Sequence, residues 1–272
     1  MFFKDLFSKF KNLYYRLELV EEANRLKKLG RYLPKDYLRL IFKLPNTYDD
    51  FINILCFIDN NIETNLIDVG GNEGKFSKDF LKFFPNTNKI ILFEPLKILN
   101  ERIKKNLKEF ENYEIINKGI GATIETKIIK YEKKNTSLAS FKEHTDDVNK
   151  FYKNQPEIAE RVEMTTLDTY KSFFQDKKQL ILKIDTQGFE LEALRGGGNL
   201  LQICDLVILE CSFVEEYKGS EPSFILCAQI LKNNDLYPII FQDYGKKISN
   251  YAFERDVIFV KKNLLKKIFH NN

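Results

Sequence analysis

The chain has 272 residues, 43% of them hydrophobic, which is enough for one large domain or for one domain with an appendage. Its 43 basic residues nearly balance its 39 acidic residues, and the formal net charge of +4 argues against a dedicated nucleic-acid binder. Charges interrupt the apolar stretches at the start, and no run approaches the roughly 20 apolar residues of a membrane span. We therefore expect neither a secretory signal nor a membrane helix.

The four cysteines are Cys56, Cys204, Cys211 and Cys227. They form neither a CxxC pair nor a metal-ligand cluster, so the sequence predicts no metal site. Cys204 and Cys211 lie in or beside apolar runs, where a free thiol behaves as a small buried hydrophobe. A reduced, cytoplasmic protein is the simplest interpretation.

Residues 1–60 are predicted to form a helical appendage before the main domain. Apolar residues recur there at helical spacing, at Phe3, Leu6, Phe7, Phe10, Leu13, Tyr14, Leu17 and Val20. The polar side of this helix is mostly basic. The helix either packs on the main domain or on a second subunit of a homodimer, or lies on a membrane surface. We favour packing, because apolar stripes at helical spacing usually face a core.

The main domain begins with alternating strands and helices. Asn65–Val69 is predicted to be a buried strand, followed by a helix over Lys75–Phe84. A second strand, Lys89–Phe93, precedes a helix over Leu96–Phe110 and a third strand, Tyr113–Asn117. This order of elements predicts a parallel sheet with right-handed crossovers.

The middle of the chain departs from that order. Thr126–Tyr131 is predicted to be an extra strand, and Val162–Leu167 another. Residues 141–163 are charged and mixed; a solvated surface helix is the default interpretation, and a lid or substrate-facing insertion is the alternative. We expect residues 122–163 to shape the pocket for an acceptor substrate.

The last third returns to buried strands. Leu180–Ile184 and Asp205–Leu209 are predicted core strands, and a helix is predicted over Pro222–Asn233. Tyr237–Phe241 and Val257–Val260 are predicted to pair antiparallel at the sheet edge. The chain then divides into an appendage (1–60), a main domain (61–262) and a solvated tail (263–272).

Four acids stand at or just beyond predicted strand ends, namely Asp68, Glu94, Asp185 and Glu210. In an open α/β sheet, ligands bind outside the carboxyl ends of the strands. A single acid there is commonplace, since acids often end strands in loops. Four of them beside a Gly-rich turn favour a ligand site.

The Gly-rich turn, Gly70–Gly74, narrows the class of ligand. It is not GxGxxG, because Asn72 stands where the second glycine of that motif allows a pyrophosphate close to the backbone. This disfavours an NAD-dependent Rossmann enzyme, which stays as an alternative. Glu94 lies 20 residues after Gly74, where dinucleotide folds place an acid against ribose hydroxyls. S-adenosylmethionine, with a ribose, a cationic sulfonium and no phosphate, fits this pattern better.

The sequence from Asp68 to Gly74, followed by Glu94-Pro95, resembles the opening of FkbM-family S-adenosylmethionine-dependent methyltransferases. A second block is more specific: after Thr166-Leu167-Asp168 comes LKIDTQGFELEALRG (182–196), similar to the family's LKIDVEGxExxVLxGA. Leu209-Glu210 and DVIF (256–259) are further shared features. The resemblance covers about residues 64–260, and Gln187 stands where the family often has Glu.

The resemblance implies an α/β class I (Rossmann-like) methyltransferase fold. It has a mostly parallel sheet of seven strands with the last one antiparallel, and helices on both faces. It also implies O-methylation, often of a sugar in a natural product or a cell-surface glycan precursor. The expected partner is therefore a small-molecule or glycan hydroxyl acceptor. A non-catalytic module, in which the N-terminal helix docks on a membrane or a glycosyltransferase, is the remaining alternative.

The resemblance also suggests site residues. The predicted cofactor-binding set is Asp68, Gly70, Gly71, Asn72, Gly74, Phe76, Glu94, Pro95, Gly119 and Ile120. Within it, Asp68 and the Gly-rich turn are expected to hold the methionine portion and Glu94 the ribose, while Gly119 and Ile120 border the adenine. Asp185 is the first candidate for the general base and Glu210 the second; binding of the cofactor amino group or a metal is the rival role of Asp185. His144, the only histidine within the domain, is a further candidate base.

Overall fold

The structure is a computed structural model that describes residues 54, 57–59, 61–149, 157–174, 178–241, 247–248, 251–252 and 254–269. The chain divides into two compact units, one formed by Asn61–Lys262 and the other by Met1–Asn60 with Asn263–Asn272. The predicted appendage, with its apolar stripe, lies outside the described residues apart from 54 and 57–59. Within the described part of the chain, no helix is long and apolar enough to cross a membrane.

The Asn61–Lys262 unit is built from strands with helices between them. In chain order the strands are β1 (Thr64–Val69), β2 (Thr87–Phe93), β3 (Tyr113–Ile116), β4 (Gly119–Ile120), β5 (Thr126–Glu132), β6 (Asn135–Ser140), β7 (Glu157–Thr165), β8 (Gln179–Ile184), β9 (Leu206–Ser212), β10 (Leu236–Phe241), β11 (Lys247–Ile248), β12 (Tyr251–Ala252) and β13 (Glu254–Lys261). The helices are α1 (Lys75–Phe83), α2 (Asn100–Leu107), α3 (Asp146–Asn149), α4 (Glu190–Arg195), α5 (Gly198–Leu201), α6 (Ser223–Asn233) and α7 (Lys262–Phe269), with 3₁₀ segments at Lys97–Leu99 and Leu167–Phe174.

The central sheet has seven strands in the order β10-β13-β9-β8-β1-β2-β3. β1 pairs parallel with β2 and β8, β2 with β3, and β8 with β9. β13 runs antiparallel to both of its neighbours, β9 and β10. The predicted antiparallel pair at the edge is confirmed, since Tyr237 lies opposite Val260 and Phe241 opposite Val257. The carboxyl ends of β1, β2, β8 and β9 therefore meet along one edge of the sheet, as the positions of the four acids require.

The sheet is buried on both faces, which explains why its strands are near-continuous apolar runs. Ile67, Leu182 and Val207 belong to one cluster that also contains the inward side chains of α4, α5 and α6. The alternate residue Leu92 points the other way, toward α2, as its position beside Gly74 and Ile103 shows. Helices therefore cover both faces of the sheet.

A second sheet of four strands, in the order β4-β7-β5-β6, is formed by the middle of the chain. The predicted extra strand is confirmed as β5, which pairs antiparallel with β7. The surface helix predicted within 141–163 is wrong for 157–163, which belong to β7; residues 150–156 lie outside the described residues. In β7, Val162 and Met164 are buried while Arg161 and Glu163 are exposed, so these two charges lie on its solvated face.

The sequence also predicts solvated side chains for the lysines at the end of the chain, Lys261, Lys262, Lys266 and Lys267, and this prediction is wrong for Lys261. The Lys261 ammonium donates hydrogen bonds to the carbonyls of Leu201, Gln202 and Asn234, at 3.3, 3.0 and 2.7 Å. Lys262 then begins α7, and residues 270–272 lie outside the described residues. A lysine close to helix ends finds unpaired carbonyl groups, and sequence distance gave no sign of that contact.

Gly196 provides a test of how tightly the end of α4 packs on the segment that follows β4. A Cβ at this position would lie 2.0 Å from the carbonyl oxygen of Gly121, whereas a Cβ at Gly198 would meet nothing within 4 Å. Because backbone is hard to displace, Gly196→Ala should lower the free energy of unfolding by about 2 kcal/mol or more. The matched change Gly198→Ala should stay within about 0.5 kcal/mol of the parent. Urea denaturation of the two variants checks this, and equal stabilities would contradict the close approach.

Candidate active site

A cavity of about 260 Å³ lies at the carboxyl ends of β1, β2 and β8. Seven residues of the predicted site line it together, namely Gly70, Asn72, Glu94, Pro95, Gly119, Ile120 and Asp185. Thr136, Ser137, Leu138 and Ala139 of β6 form another wall. The four-stranded sheet therefore forms one side of the cavity, and the strand ends of the seven-stranded sheet form the other.

Gly70 brings the two halves of the site into contact. Its φ of 76° is in the left-handed region, and a Cβ there would lie 1.8 Å from the carbonyl oxygen of Asp185. Only glycine meets both conditions. The Gly-rich turn thus packs directly on the end of β8, and Asp185 is held beside the turn.

Asn72 also has a positive φ, 47°, which asparagine tolerates better than most residues. Its backbone N–H donates to Glu94 Oε2 at 2.8 Å, and its side-chain oxygen accepts a hydrogen bond from the Thr136 hydroxyl at 3.0 Å. The amide that replaces a glycine of GxGxxG therefore ties the turn to β6.

Glu94 is only 5% exposed, although it lines the cavity. Oε1 accepts from the N–H of Leu96 at 2.9 Å, while Oε2 accepts from Asn72. Burial raises the pKa of Glu94 to about 7. The two hydrogen-bond donors oppose this rise, whereas the nearby charges of Asp68 and Asp185 add to it. Glu94 is thus poised to exchange a proton near neutral pH.

Asp68 does not line the cavity; it is fully buried beneath the turn. Ser77 donates to its Oδ2 at 2.6 Å, and its Oδ1 lies 3.9 Å from the Lys183 ammonium. Burial raises the pKa of Asp68, while Lys183 and Ser77 oppose that rise. Its role in this arrangement is to support the turn from below.

Three more of the predicted cofactor residues lie outside the cavity lining, namely Gly71, Gly74 and Phe76. A Cβ on Gly71 would meet the Leu92 side chain at 2.4 Å, and one on Gly74 would meet Ile103 at 3.2 Å. The two glycines thus let the turn and α1 approach β2 and α2 closely. Their place in the site is to shape the turn.

Lys183 is the site residue to which sequence reasoning assigned no role. Its ammonium lies 3.1 Å from Asp185 Oδ2, 3.9 Å from Asp68 Oδ1 and 5.3 Å from the centre of the Phe76 ring. Burial disfavours its charge, but the carboxylates of Asp185, Asp68 and Asp256 outweigh burial and raise the pKa of Lys183. The signal was present in the sequence: one lysine interrupts an otherwise apolar strand just before an acid.

Asp185 and Glu210 form an unequal pair of acids. Burial acts to raise the pKa of Asp185, but Lys183 and hydrogen bonds from Gln187 and Glu210 lower it below its usual value. Burial and the charge of Asp185 raise the pKa of Glu210 well above its usual value. Ionisation is therefore favoured at Asp185 and protonation at Glu210, and of the two only Asp185 lines the cavity.

His144 lies outside this cavity lining. Its ring stacks on Tyr217, with centroids 4.6 Å apart, and the two residues form an isolated β-bridge. The geometry gives this candidate base a packing role.

The chain is similar to known methyltransferases in sequence and in fold. The family model described as Methyltransferase FkbM domain matches residues 68–248. A methyltransferase FkbM from Methylobacillus flagellatus KT shares 10% sequence identity with the chain, at a TM-score of 0.50 over 79% of this chain and 48% of its own. The chain thus spans about half the length of that protein, and at this identity the likeness concerns the fold alone.

The N-methyltransferase NodS from Bradyrhizobium japonicum WM9, in complex with S-adenosyl-L-homocysteine, shares 9% identity over 89% of this chain and 97% of its own, with a TM-score of 0.42. Among curated proteins, none matches the chain. The fold is that of a methyltransferase-like α/β protein, and the chain belongs to the FkbM methyltransferase family. The resemblance predicted from the two sequence blocks is confirmed.

Lys183→Met should test the buried ion cluster. Loss of the ammonium leaves Asp68 and Asp185 without their cation, so the free energy of unfolding should fall by about 3 kcal/mol or more. Lys104 offers a matched control: its ion pair with Glu101 is on the surface, and Lys104→Met should cost at most about 0.5 kcal/mol. Chemical denaturation at pH 7 compares the two variants. Equal losses of unfolding free energy would show that the buried cluster contributes no more to stability than a surface ion pair.

Proposed function

We propose that this methyltransferase uses S-adenosyl-L-methionine to methylate a hydroxyl group of a sugar or glycan precursor. The observation that supports it most is the meeting of Glu94 and Asp185 in one cavity across the Gly-rich turn. Glu94, the proposed ribose ligand, and Asp185 lie there at the ends of β2 and β8, the two strands that flank β1. The family to which the chain belongs supports the transfer of a methyl group.

The residues of the cavity suit the charge of this cofactor. Glu94, Asp185 and Glu254 line it, and a cationic sulfonium is favoured near carboxylates. Among the described lining residues Lys118 is the basic one, and it forms an ion pair with Glu163 at 3.1 Å. A pyrophosphate would find little positive charge there, which argues against the NAD alternative.

Glu94 would accept hydrogen bonds from the ribose hydroxyls, and the backbone of the Gly-rich turn would border the methionine portion. Gly119 and Ile120, on β4, would flank the adenine. When bound, S-adenosylmethionine supplies an electrophilic methyl group. Thr136 and the rest of the β6 wall present a mixture of hydroxyl and apolar surface, which suits a sugar acceptor.

Asp185 is the proposed general base. Its ionised form is favoured, its side chain is 34% exposed, and it lines the cavity. It takes the proton of the acceptor hydroxyl as that oxygen bonds to the methyl carbon, and the carbon–sulfur bond breaks with its electrons left on sulfur. Alignment of donor and acceptor supplies the remaining acceleration.

Three further proposals concern the N-terminal helix, nucleic acid and the location of the protein. The N-terminal helix, which lies outside the described residues, is proposed to pack on the domain or on a second subunit, with peripheral membrane contact as the alternative. No nucleic-acid partner is proposed, given the near balance of charges. A cytoplasmic location is proposed from the free, buried thiols of Cys204, Cys211 and Cys227.

Calorimetric titration with S-adenosylhomocysteine tests the cofactor, and transfer of radiolabelled methyl groups to a panel of sugars, sugar nucleotides and glycans tests the reaction. With the best acceptor, Asp185→Asn should lower turnover by about 100-fold or more while binding of S-adenosylhomocysteine persists. Near-normal turnover would remove Asp185 from the role of base. Failure of the parent protein to bind S-adenosylhomocysteine would contradict the proposed function.

The raised pKa of Glu94 predicts how cofactor affinity varies with pH. Its pKa of about 7 means that the carboxyl is largely neutral below that pH, whereas ribose hydroxyls donate to the ionised form. Binding therefore releases a proton, and affinity for S-adenosylhomocysteine should fall by about tenfold per pH unit as the pH drops below about 6.

Titrations from pH 5 to 8 compare the parent with Glu94→Gln, which should bind more weakly and lose this pH dependence. Glu101→Gln is the matched control, because the Glu101 side chain is 86% exposed on α2. An unchanged pH dependence in Glu94→Gln would show that Glu94 is not the titrating group.

A further inference from the structure

The turn that follows Asp185 is held in an unusual conformation. Gln187 has a φ of 53° and Gly188 a φ of 95°, so two successive residues occupy the left-handed side of the backbone map. Such a conformation is uncommon for a residue with a side chain, and it persists only where surrounding contacts hold it.

Two side chains supply those contacts. Glu190, 3% exposed, accepts hydrogen bonds from the N–H groups of Thr186 at 2.9 Å and Gly188 at 3.1 Å. From the opposite side, the Ser140 hydroxyl donates to the carbonyl of Gln187 at 2.6 Å. The backbone of the turn is thus clamped by α4 and by β6, and the direction of the Gln187 side chain is set.

The Gln187 amide points between the two acids of the site. Nε2 lies 3.2 Å from Asp185 Oδ1 and 2.7 Å from Glu210 Oε2. An amide nitrogen carries two hydrogens, one for each oxygen, and the amide oxygen could not satisfy the ionised Asp185. Lys183 already contacts Asp185 Oδ2, so both oxygens of Asp185 meet a donor.

Acids surround this contact from every element packed on it. The titratable and charged groups are Asp68 on β1, Lys183 and Asp185 at β8, Glu190 on α4, Glu210 on β9, Tyr217 beside Gly188, and Glu254 and Asp256 on β13. In such surroundings two adjacent carboxyl groups repel each other when both are ionised and share a proton when one is not. A neutral double donor contacts both of them and stabilises the pair without adding charge.

We propose that Gln187 is a positioning residue of this site, whose amide donates one hydrogen to Asp185 and one to Glu210 and so holds the two carboxyl groups as a fixed pair. Asp185 is thereby kept as the charged member at the cavity, and Glu210 as its neutral support behind it. The importance of the pair for methyl transfer rests on the proposed function, whereas the pairing itself does not.

Carbon-13 NMR of protein labelled at the Asp and Glu carboxyl carbons measures the pair directly, without cofactor or acceptor. The Asp185 signal is assigned by its loss in Asp185→Asn. Gln187→Met keeps the length of the side chain and removes both hydrogens, so the Asp185 titration midpoint should rise by about one pH unit or more. Gln187→Glu places a third acid there and should raise it further.

Gln187→Asn guards against a folding defect, because asparagine tolerates positive φ yet is too short to reach both acids. It should move the midpoint in the same direction. Gln229→Met makes the same chemical change on the exposed face of α6 and should leave the midpoint at its parent value. A midpoint in Gln187→Met and Gln187→Asn that equals that of Gln229→Met would overturn the proposal.

A second readout concerns the charge that Asp185 offers to a ligand. The ratio of affinities for S-adenosylmethionine, which is cationic at sulfur, and S-adenosylhomocysteine, which is neutral there, should fall severalfold in Gln187→Met at the pH of the parent's Asp185 midpoint, where a rise of one pH unit leaves that carboxyl mostly neutral. Binding of neither compound by the parent would refute the proposed function and leave the NMR result to decide the pairing. An unchanged ratio beside a moved midpoint would refute the link between Gln187 and the cofactor charge.

Discussion

A buried lysine between two carboxylates is the constraint on which the site depends. Lys183 bridges Asp68, at the end of β1, and Asp185, at the end of β8. Removing charges from water is costly, and such a cluster persists only when the partners are close and the remaining polar atoms are bonded. Because β1 and β8 are neighbours in the sheet, the ion cluster holds the ends of the two strands side by side.

The position of Asp185 in this cluster constrains the path of the Gly-rich turn. With Asp185 held at the end of β8, the turn after β1 passes so near to its carbonyl that no side chain fits at Gly70. The N–H groups of Gly70 and Gly71 donate to the Phe93 carbonyl, and Asn72 donates to Glu94, so the turn is also bound to the end of β2. Three strand ends are thus joined through one turn, and the cavity is the space above it.

The four acids then differ in charge because they differ in donors. Asp185 has Lys183 and Gln187 beside it and is ionised, whereas burial outweighs the donors of Glu94 and leaves its pKa near neutral pH. Glu210, behind Asp185, keeps its proton. A cavity with one fixed charge and one acid that titrates near neutrality suits a cationic ligand with hydroxyl groups, which is the physical basis of the proposed chemistry.

The order of strands and helices, the edge pair and the family were all predictable from the sequence, because apolar periodicity and short motifs report local structure. The positions of Glu94 and Asp185 at strand ends followed from the same patterns. The sequence shows Lys183 as a single lysine within an apolar strand, but its role depends on Asp68, which lies more than 100 residues away in sequence. The end of β7 was predicted, but its first part, residues 157–161, was missed because charged residues there obscure the alternation of a strand. Which acids are charged, which reach the cavity and how Gln187 lies between two of them were decided by tertiary packing alone, since burial and long-range donors set these properties and no local pattern records them.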